Sequence, residues 1–280
     1  MMRSPVFSDI DVDGIVQRYP TVFIRPAGRR LTHYISAGGF AAFTLYCLAA
    51  LGFFDFEMIG KGLSKLYGVL AFMLPPAARG RFFDFAHAIL ETLGMAFVGT
   101  LLAALLALPM GFLGAKNVVG HPLLHFPLRR LYDFMRGVDA LIWALVWINV
   151  VGLGPFAAIL AIGCSVSGEL AKLFSEAIEN VDAKPIDGVR AAGANALQVI
   201  RCAIVPQVLP VMLSTTLYYF ESNTRSATIL GIVGAGGIGL ALADRIRVMA
   251  WDQASLIIVM ILVTVYLIDI FSNRIRHYFI

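Results

Sequence analysis

Long apolar runs, separated by shorter polar segments, dominate the pattern of the chain. The longest extends over about residues 86–115, and others cover about residues 33–54, 206–232 and 253–271. Each run has roughly the 20 residues that an α-helix needs to cross the hydrocarbon layer of a membrane. The pattern therefore predicts helices that span a membrane.

The middle of the chain adds two further spans. Residues from about Val138 to Ala171 carry enough apolar sequence for both, and Gly152, Gly154 and Pro155 supply a turn between them. Residues 61–74 are less apolar, which favours a helix lying in the membrane interface. The sequence thus predicts an all-α, polytopic membrane protein with about six transmembrane helices, an N-terminal tail at 1–32 and a transmembrane domain at 33–280.

Composition agrees with a membrane protein. Of the 280 residues, 59% are hydrophobic and 14% are charged, against roughly 45–50% and about 25% in soluble domains. The net charge of +4 comes from basic residues between the apolar runs, a distribution typical of contact with anionic lipid and not of nucleic-acid binding. The three cysteines show no metal-ligand spacing, so neither a disulfide framework nor a metal site is expected.

The basic residues also predict the orientation, because loops on the cytoplasmic side are enriched in lysine and arginine. Six spans with both termini in the cytoplasm place fifteen of the 22 basic residues on that side. These are Arg3, Arg18, Arg25, Arg29, Arg30, Lys116, Arg129, Arg130, Arg136, Lys172, Lys184, Arg190, Arg201, Arg274 and Arg276.

The polar segment at about 174–206 is the least membrane-like internal region, and the orientation places it in the cytoplasm. Asp182 can cap a short helix, Gly193 can end it, and Asn195 can cap a second helix that leads toward the membrane. An exposed short helix with small residues on one face is suited to docking into a groove of a partner protein.

A pair of opposite charges lies inside the predicted span at 206–232. Glu221 and Arg225 are four residues apart and can neutralise each other on one helix face. Alternatively, Arg225, with Asn223 and Ser226 nearby, faces a central path and donates hydrogen bonds to a passing anion. Both interpretations fit the sequence.

A glycine-rich run follows that span. Gly234, Gly236, Gly237 and Gly239 include the spacing GxGxxG, but a dinucleotide site needs a soluble strand before it and a helix after it within a βαβ unit. The glycines better fit close backbone packing or a bend at a helix end, and Gly234, Gly236 and Gly237 are candidates to line a translocation path.

The segment after Asp182 resembles the EAA loop of binding-protein-dependent ABC importer permeases. Gly193 and Pro206 match that motif, whereas Asp187-Gly188-Val189 stand where the family has Glu-Ala-Ala, and Ala203 replaces an isoleucine. The resemblance implies a coupling helix that contacts an ATPase. The residues it assigns to this role are Asp187, Gly188, Val189, Arg190, Ala191, Ala192, Gly193 and Pro206.

Three runs extend the resemblance to the phosphonate permease family from the second span onward: residues 91–96, residues 143–145 with 151–156, and, most specifically, 223–239. The family implies a type I ABC importer permease with the MetI-like fold in a bacterial inner membrane. Its implied partners are a second, identical permease copy, ATPase subunits and a periplasmic substrate-binding protein. This chain has no Walker A sequence and no expected cofactor, so ATP and Mg²⁺ would be bound by the ATPase.

Other functions remain open at this stage. The same architecture could carry phosphite, a phosphate-like anion or a solute such as methionine. A passive channel would not need the segment at 182–206, and a membrane-embedded enzyme would need clustered catalytic side chains, which the sequence does not suggest.

Overall fold

The computed structural model describes residues 27–119 and 122–279, and every regular element within these ranges is helical, as the sequence predicts. Residues 1–26 of the predicted tail at 1–32 lie outside the described residues. The last six residues of that tail belong to α1, which begins at 27. The helices are α1 Ala27–Ala50, α2 Phe56–Phe72, α3 Phe82–Gly114, α4 Pro122–Gly137, α5 Ala140–Val151, α6 Pro155–Glu179, α7 Ala183–Ala191, α8 Ala196–Val199, α9 Val205–Leu230, α10 Gly237–Arg247 and α11 Trp251–Phe279.

The chain divides after Gly68 into two compact units. The first contains α1 and most of α2, whose Lys61 Nζ lies 2.6 Å from Glu57 Oε1 one turn earlier. The second unit, from Val69 onward, contains the longer apolar helices and the polar segment between α6 and α9. The features that bear on function all lie in this second unit.

Four helices in the described ranges are long and apolar enough to cross a membrane: Phe82–Gly114, Pro155–Glu179, Ala196–Ala235 and Trp251–Arg276. The described residues therefore contain fewer spanning helices than the six or so that the sequence predicts. The third predicted span is only α5, whose 12 residues reach about 18 Å, and with His125–Gly137 it forms a pair bent by 87° that makes at most a fifth span. The first predicted span contributes a shorter apolar helix, Tyr34–Ala50.

Residue types at the helix ends account for these bounds. Asp139 caps α5, because its side chain accepts a hydrogen bond from the Leu141 amide at 2.8 Å. Gly152 ends α5, and Pro155 begins α6 at a position where its missing N–H costs nothing. The turn predicted between Gly152 and Pro155 is thus confirmed.

Small residues bring α3 and α6 into close contact in the core. Gly99 faces Ile162, and Gly111 faces Phe174. Both pairs are 63 positions apart (162 − 99 and 174 − 111), so the two helices run in the same direction. Because no Cβ intervenes at either glycine, the helix axes approach closely.

The span that contains α9 runs in the opposite direction. Asn223 contacts Thr100 of α3, whereas the later residue Gly237 contacts the earlier residue Glu91. The ends of α3 and α6, at Gly114 and Glu179, therefore lie on the same side as the beginning of α8. The polar segment joins α6 to α8 on that side.

Candidate functional site

The docking segment, residues 182–206, consists of two short helices whose limits are set by local capping. Asp182 accepts a hydrogen bond from the Lys184 amide at 3.1 Å, which fixes the start of α7. Asn195 and Gln198 form a reciprocal capping box at the start of α8, with distances of 2.8 and 2.9 Å. Both predicted caps are confirmed.

Gly193 makes the turn between α7 and α8. Its φ is +83°, in the left-handed region that glycine adopts without steric cost. Its N–H donates to the Arg190 carbonyl at 2.9 Å, and the next N–H, of Ala194, donates to the Val189 carbonyl at 3.4 Å. These paired bonds satisfy the free carbonyls at the end of α7, as the sequence predicted for Gly193.

The docking segment is exposed, yet it is tied to the spanning helices. No residue of α7 is fully buried, and Leu197 of α8 is 76% exposed. Gln207 of α9 holds the start of α7, because its Oε1 accepts from the Asp182 N–H at 3.0 Å while its Nε2 donates to the Ala203 carbonyl at 2.8 Å. A force on α7 would therefore be transmitted to α9.

A π-helical turn, Ile200–Ile204, connects α8 to α9. It ends two residues before Pro206, which has no N–H to donate to the carbonyl four residues earlier and whose ring would crowd that carbonyl in a regular helix. A widened turn relieves this conflict. Pro206 thus lies at the junction of the docking segment and the span, while Asp187, Gly188, Arg190, Ala191 and Ala192 lie outside the core on α7 and the turn after it.

A second feature, the intramembrane ion cluster, consists of Glu221, Arg225 and Arg276. The buried Glu221 carboxylate accepts from Arg276 Nη2 at 3.0 Å and lies 3.4 Å from both terminal nitrogens of Arg225. Arg276 is thus the closer partner of Glu221. The Arg225 side chain is 50% exposed, which leaves donors free for another group.

Asn223 and Ser226, two polar residues near Arg225 on α9, form hydrogen bonds outside the ion cluster. Asn223 is buried and donates to Thr100 Oγ1 at 2.8 Å, so its amide joins α9 to α3. Ser226 donates to the Ser222 carbonyl at 3.4 Å within its own helix. The structure therefore does not bring Asn223 and Ser226 together with Arg225 in one group of donors.

Neutralising Glu221 is expected to destabilise the protein. Glu221→Gln leaves Arg276 without its carboxylate partner, and we expect a loss of about 1–2 kcal/mol, measured by thermal unfolding in detergent. The double variant Glu221→Gln/Arg276→Gln should recover part of that loss, because it removes the unpaired charge. Equal destabilisation by the single and double variants would contradict the pairing.

The third feature is the break between α9 and α10, where the glycine-rich run packs backbone against backbone. A Cβ on Gly231 would lie 2.5 Å from the Gly236 carbonyl oxygen, and one on Gly237 would meet Thr92 of α3. Gly234 lies against Leu153, and Gly236 lies against Glu91 and Pro155. The contacts match the predicted packing and bend, and the glycines are surrounded by residues of α3, of α6 and of the turn before α6.

Side chains of α3 cap the new helix that begins after this break. Glu91 Oε2 accepts from the Gly237 N–H at 3.2 Å, and Thr92 Oγ1 accepts from the Ile238 N–H at 2.9 Å. A carboxylate at a helix N-terminus also interacts favourably with the helix dipole. Glu91 therefore stabilises α10, a role that the sequence did not reveal because its partner is 146 positions away.

Arg276 is likewise inconspicuous in the sequence, where it is one basic residue near the C-terminus. Its 55-residue separation from Glu221 carries no local signal. In the sequence, the only sign of a partner for Glu221 is that a buried carboxylate needs a positive charge beside it. Arg225, four residues away, already supplies such a charge.

Comparison with known proteins gives consistent matches. The model of the binding-protein-dependent transport system inner membrane component family matches residues 107–280. The phosphite transport system permease protein PtxC of Stutzerimonas stutzeri is 35% identical over 82% of this chain and 83% of its own length. The cryptic phosphonate transport system permease protein PhnE2 of Escherichia coli K12 is 48% identical over 43% of this chain and 99% of its own.

The fold also matches solved structures. An inward-facing structure of the methionine ABC transporter MetNI superimposes with a TM-score of 0.63, covering 73% of this chain and all of the matched chain at 22% identity. This likeness establishes the MetI-like permease fold that the sequence resemblance implied.

Proposed function

Because the chain belongs to the binding-protein-dependent transport system inner membrane component family, we propose that it is the membrane-spanning subunit of an ATP-driven importer for phosphonates. The observation that carries this proposal is the exposed docking segment, which is tied by Gln207 to a span and placed on the side where α6 ends. The similarity to permeases named for phosphite and phosphonate supports the substrate class.

The proposed mechanism is alternating access driven by a partner. An ATPase subunit, which binds ATP and Mg²⁺, closes and pushes on α7, and the spanning helices rock to open the path outward. A second copy of this chain completes the path, and a periplasmic binding protein delivers the substrate. Both termini lie in the cytoplasm of a bacterium, with the protein in its inner membrane.

In the path, we assign the recognition of the anion to Arg225. Its half-exposed guanidinium keeps donors free because Glu221 is held more closely by Arg276, and charge-assisted donors suit phosphonate oxygens. Glu221 then positions Arg225, while Asn223, Ser226, Gly234, Gly236 and Gly237 shape the helices around it.

Replacing Arg225 should weaken transport more than assembly. For Arg225→Gln we expect the KM for 2-aminoethylphosphonate uptake into proteoliposomes to rise about tenfold, as loss of one charge-assisted hydrogen bond predicts. Arg225→Lys should retain part of the affinity. Arg247→Gln is the matched control, because Arg247 is 70% exposed on α10; an unchanged KM in Arg225→Gln would contradict the assignment.

The substrate class is tested by competition. Uptake of labelled 2-aminoethylphosphonate by the complex with its ATPase and binding protein should be inhibited by other phosphonates. Stronger inhibition by phosphite or phosphate would assign the importer to those anions, and inhibition by D-methionine alone would contradict the phosphonate proposal.

A further inference from the structure

A polar cavity of about 340 Å³ lies beside the inner half of α6, apart from the docking segment and the ion cluster. We call it the inner vestibule. Its walls come from three helices and consist of Arg136 of α4, Glu169, Lys172, Leu173 and Glu176 of α6, and Tyr219 of α9. Charges of both signs therefore face one cavity.

The charges on α6 form one face of that helix. Glu169, Lys172 and Glu176 are spaced by three and four residues, so their side chains lie one above another. Lys172 Nζ donates to Asp133 Oδ1 at 3.0 Å, and Arg136 Nε lies 3.9 Å from the same oxygen. Arg136 remains half exposed, and its guanidinium has donors to spare.

The depth of the vestibule argues that it contains water. Glu169 lies ten residues before the end of α6 at Glu179, about 15 Å along the helix. Because the polar segment begins at about 174, five residues after Glu169, this carboxylate lies roughly 8 Å inside a hydrocarbon layer about 30 Å thick, in its inner half. A charge at the centre of a span costs about 2.5–3.5 kcal/mol unless it is paired or reached by water. Tyr219 hydrogen-bonds to Glu169, and water in the cavity is needed to solvate the remaining charges of this face.

The outer face of α11 shows the opposite character. Leu262 and Leu267 are 63% and 58% exposed, and their neighbours are apolar. Leu267 lies at a depth similar to Tyr219, because Ser272, five residues after Leu267, donates to the carbonyl of Leu217, two residues before Tyr219 on α9. At a similar depth, therefore, the outer face of α11 is suited to contact with lipid, whereas the charged face of α6 is not.

We propose that the inner vestibule is a water-filled part of the translocation path that holds a zwitterionic aminoalkylphosphonate by both of its charges. The proposal rests on the importer function and specifies its substrate class. At this point of the path, inward of Arg225, Arg136 and Lys172 donate to the phosphonate oxygens, and Glu169 and Glu176 accept from the ammonium group. Three carboxylates near the cavity, including Asp133, would repel an anion that lacks an ammonium group.

Cysteine labelling tests whether the vestibule contains water. Leu173→Cys, in a chain whose Cys47, Cys164 and Cys202 are replaced, is treated with charged methanethiosulfonates from the cytoplasmic side, alongside Leu267→Cys. We expect labelling of Leu173→Cys to be about tenfold faster or more, because charged reagents are excluded from lipid. Equal, slow labelling at both positions, with a lipid-soluble maleimide still reacting, would overturn the vestibule. This test needs no substrate.

Transport by the complete complex tests the ligand. Glu176→Gln should raise the KM for 2-aminoethylphosphonate about fivefold, as loss of one solvated ion pair predicts. The KM for methylphosphonate should stay unchanged or fall by up to about twofold, because one repelling carboxylate is removed. Equal effects on both substrates would overturn recognition of the ammonium group. If neither phosphonate is transported by the unaltered complex, the importer proposal fails, while the labelling result still decides whether the vestibule contains water.

Discussion

Gly193→Pro is expected to abolish substrate-stimulated ATP hydrolysis by the assembled importer. Proline fixes φ near −65° and has no N–H, whereas Gly193 has φ +83° and donates to the Arg190 carbonyl. The turn between α7 and α8 must therefore re-form, and α7 loses its fixed direction. We expect stimulation by 2-aminoethylphosphonate and binding protein to fall about tenfold or more, consistent with a strain of about 1–3 kcal/mol.

The matched control is Gly52→Pro. Gly52 also has a positive φ, +71°, and a Cβ added there would meet no atom within 4 Å, but it lies outside the region matched by the family. Stimulated hydrolysis should be retained in this variant. Retention in Gly193→Pro as well would contradict the role of the docking segment in coupling.

Gly239→Ala is expected to destabilise the protein by about 3 kcal/mol or more, at the upper end of overpacking effects. A Cβ at this position would overlap the Thr228 carbonyl oxygen and lie 3.0 Å from the Gly231 Cα. Both obstacles are backbone atoms, so no side-chain rotation relieves the overlap. Thermal unfolding in detergent should show a markedly lower Tm, or the variant should fail to accumulate in the membrane.

Gly94→Ala serves as the control for this prediction. Gly94 lies within α3 and has no atom within 4 Å of the added Cβ, so alanine should be neutral or stabilising by up to about 1 kcal/mol. A Tm for Gly239→Ala that equals the Tm of Gly94→Ala would show that the break between α9 and α10 is loosely packed.

The parts of the structure that could be predicted depend on local sequence. Asp182, Gly193 and Asn195 signal their helix ends within three residues, and the structure confirms all three. Capping requires only backbone geometry and a short side chain, so it can be inferred without knowledge of the fold.

The parts that could not be predicted depend on long-range contacts. Glu91 caps a helix 146 positions later, and Glu221 pairs with Arg276 across 55 positions. The inner vestibule is formed by three helices, and no local spacing in the sequence connects Arg136, Glu169 and Tyr219. Such groups become recognisable only when packing places them at one depth.

The number of spans was predicted less closely than the helical fold: four, or up to five, are found among the described residues, against about six expected. Apolar content predicts that a helix can enter lipid, but it does not reveal a sharp bend. The bend of 87° between α4 and α5 leaves one arm of only 12 residues. Because α3 and α6 run in the same direction, this bent pair must return the chain across the layer between them, so it counts as one crossing although neither arm is a long helix.

Site-directed photocrosslinking tests the central claim most directly. A benzophenone amino acid is placed at Asp187 on the exposed face of α7, and at Met249, which is 75% exposed beyond the end of α10. In membranes that contain the complete system, we predict a crosslink from position 187 to the ATPase subunit and none from position 249. A crosslink to the ATPase from position 249, or from neither position in a complex that hydrolyses ATP, would contradict the account.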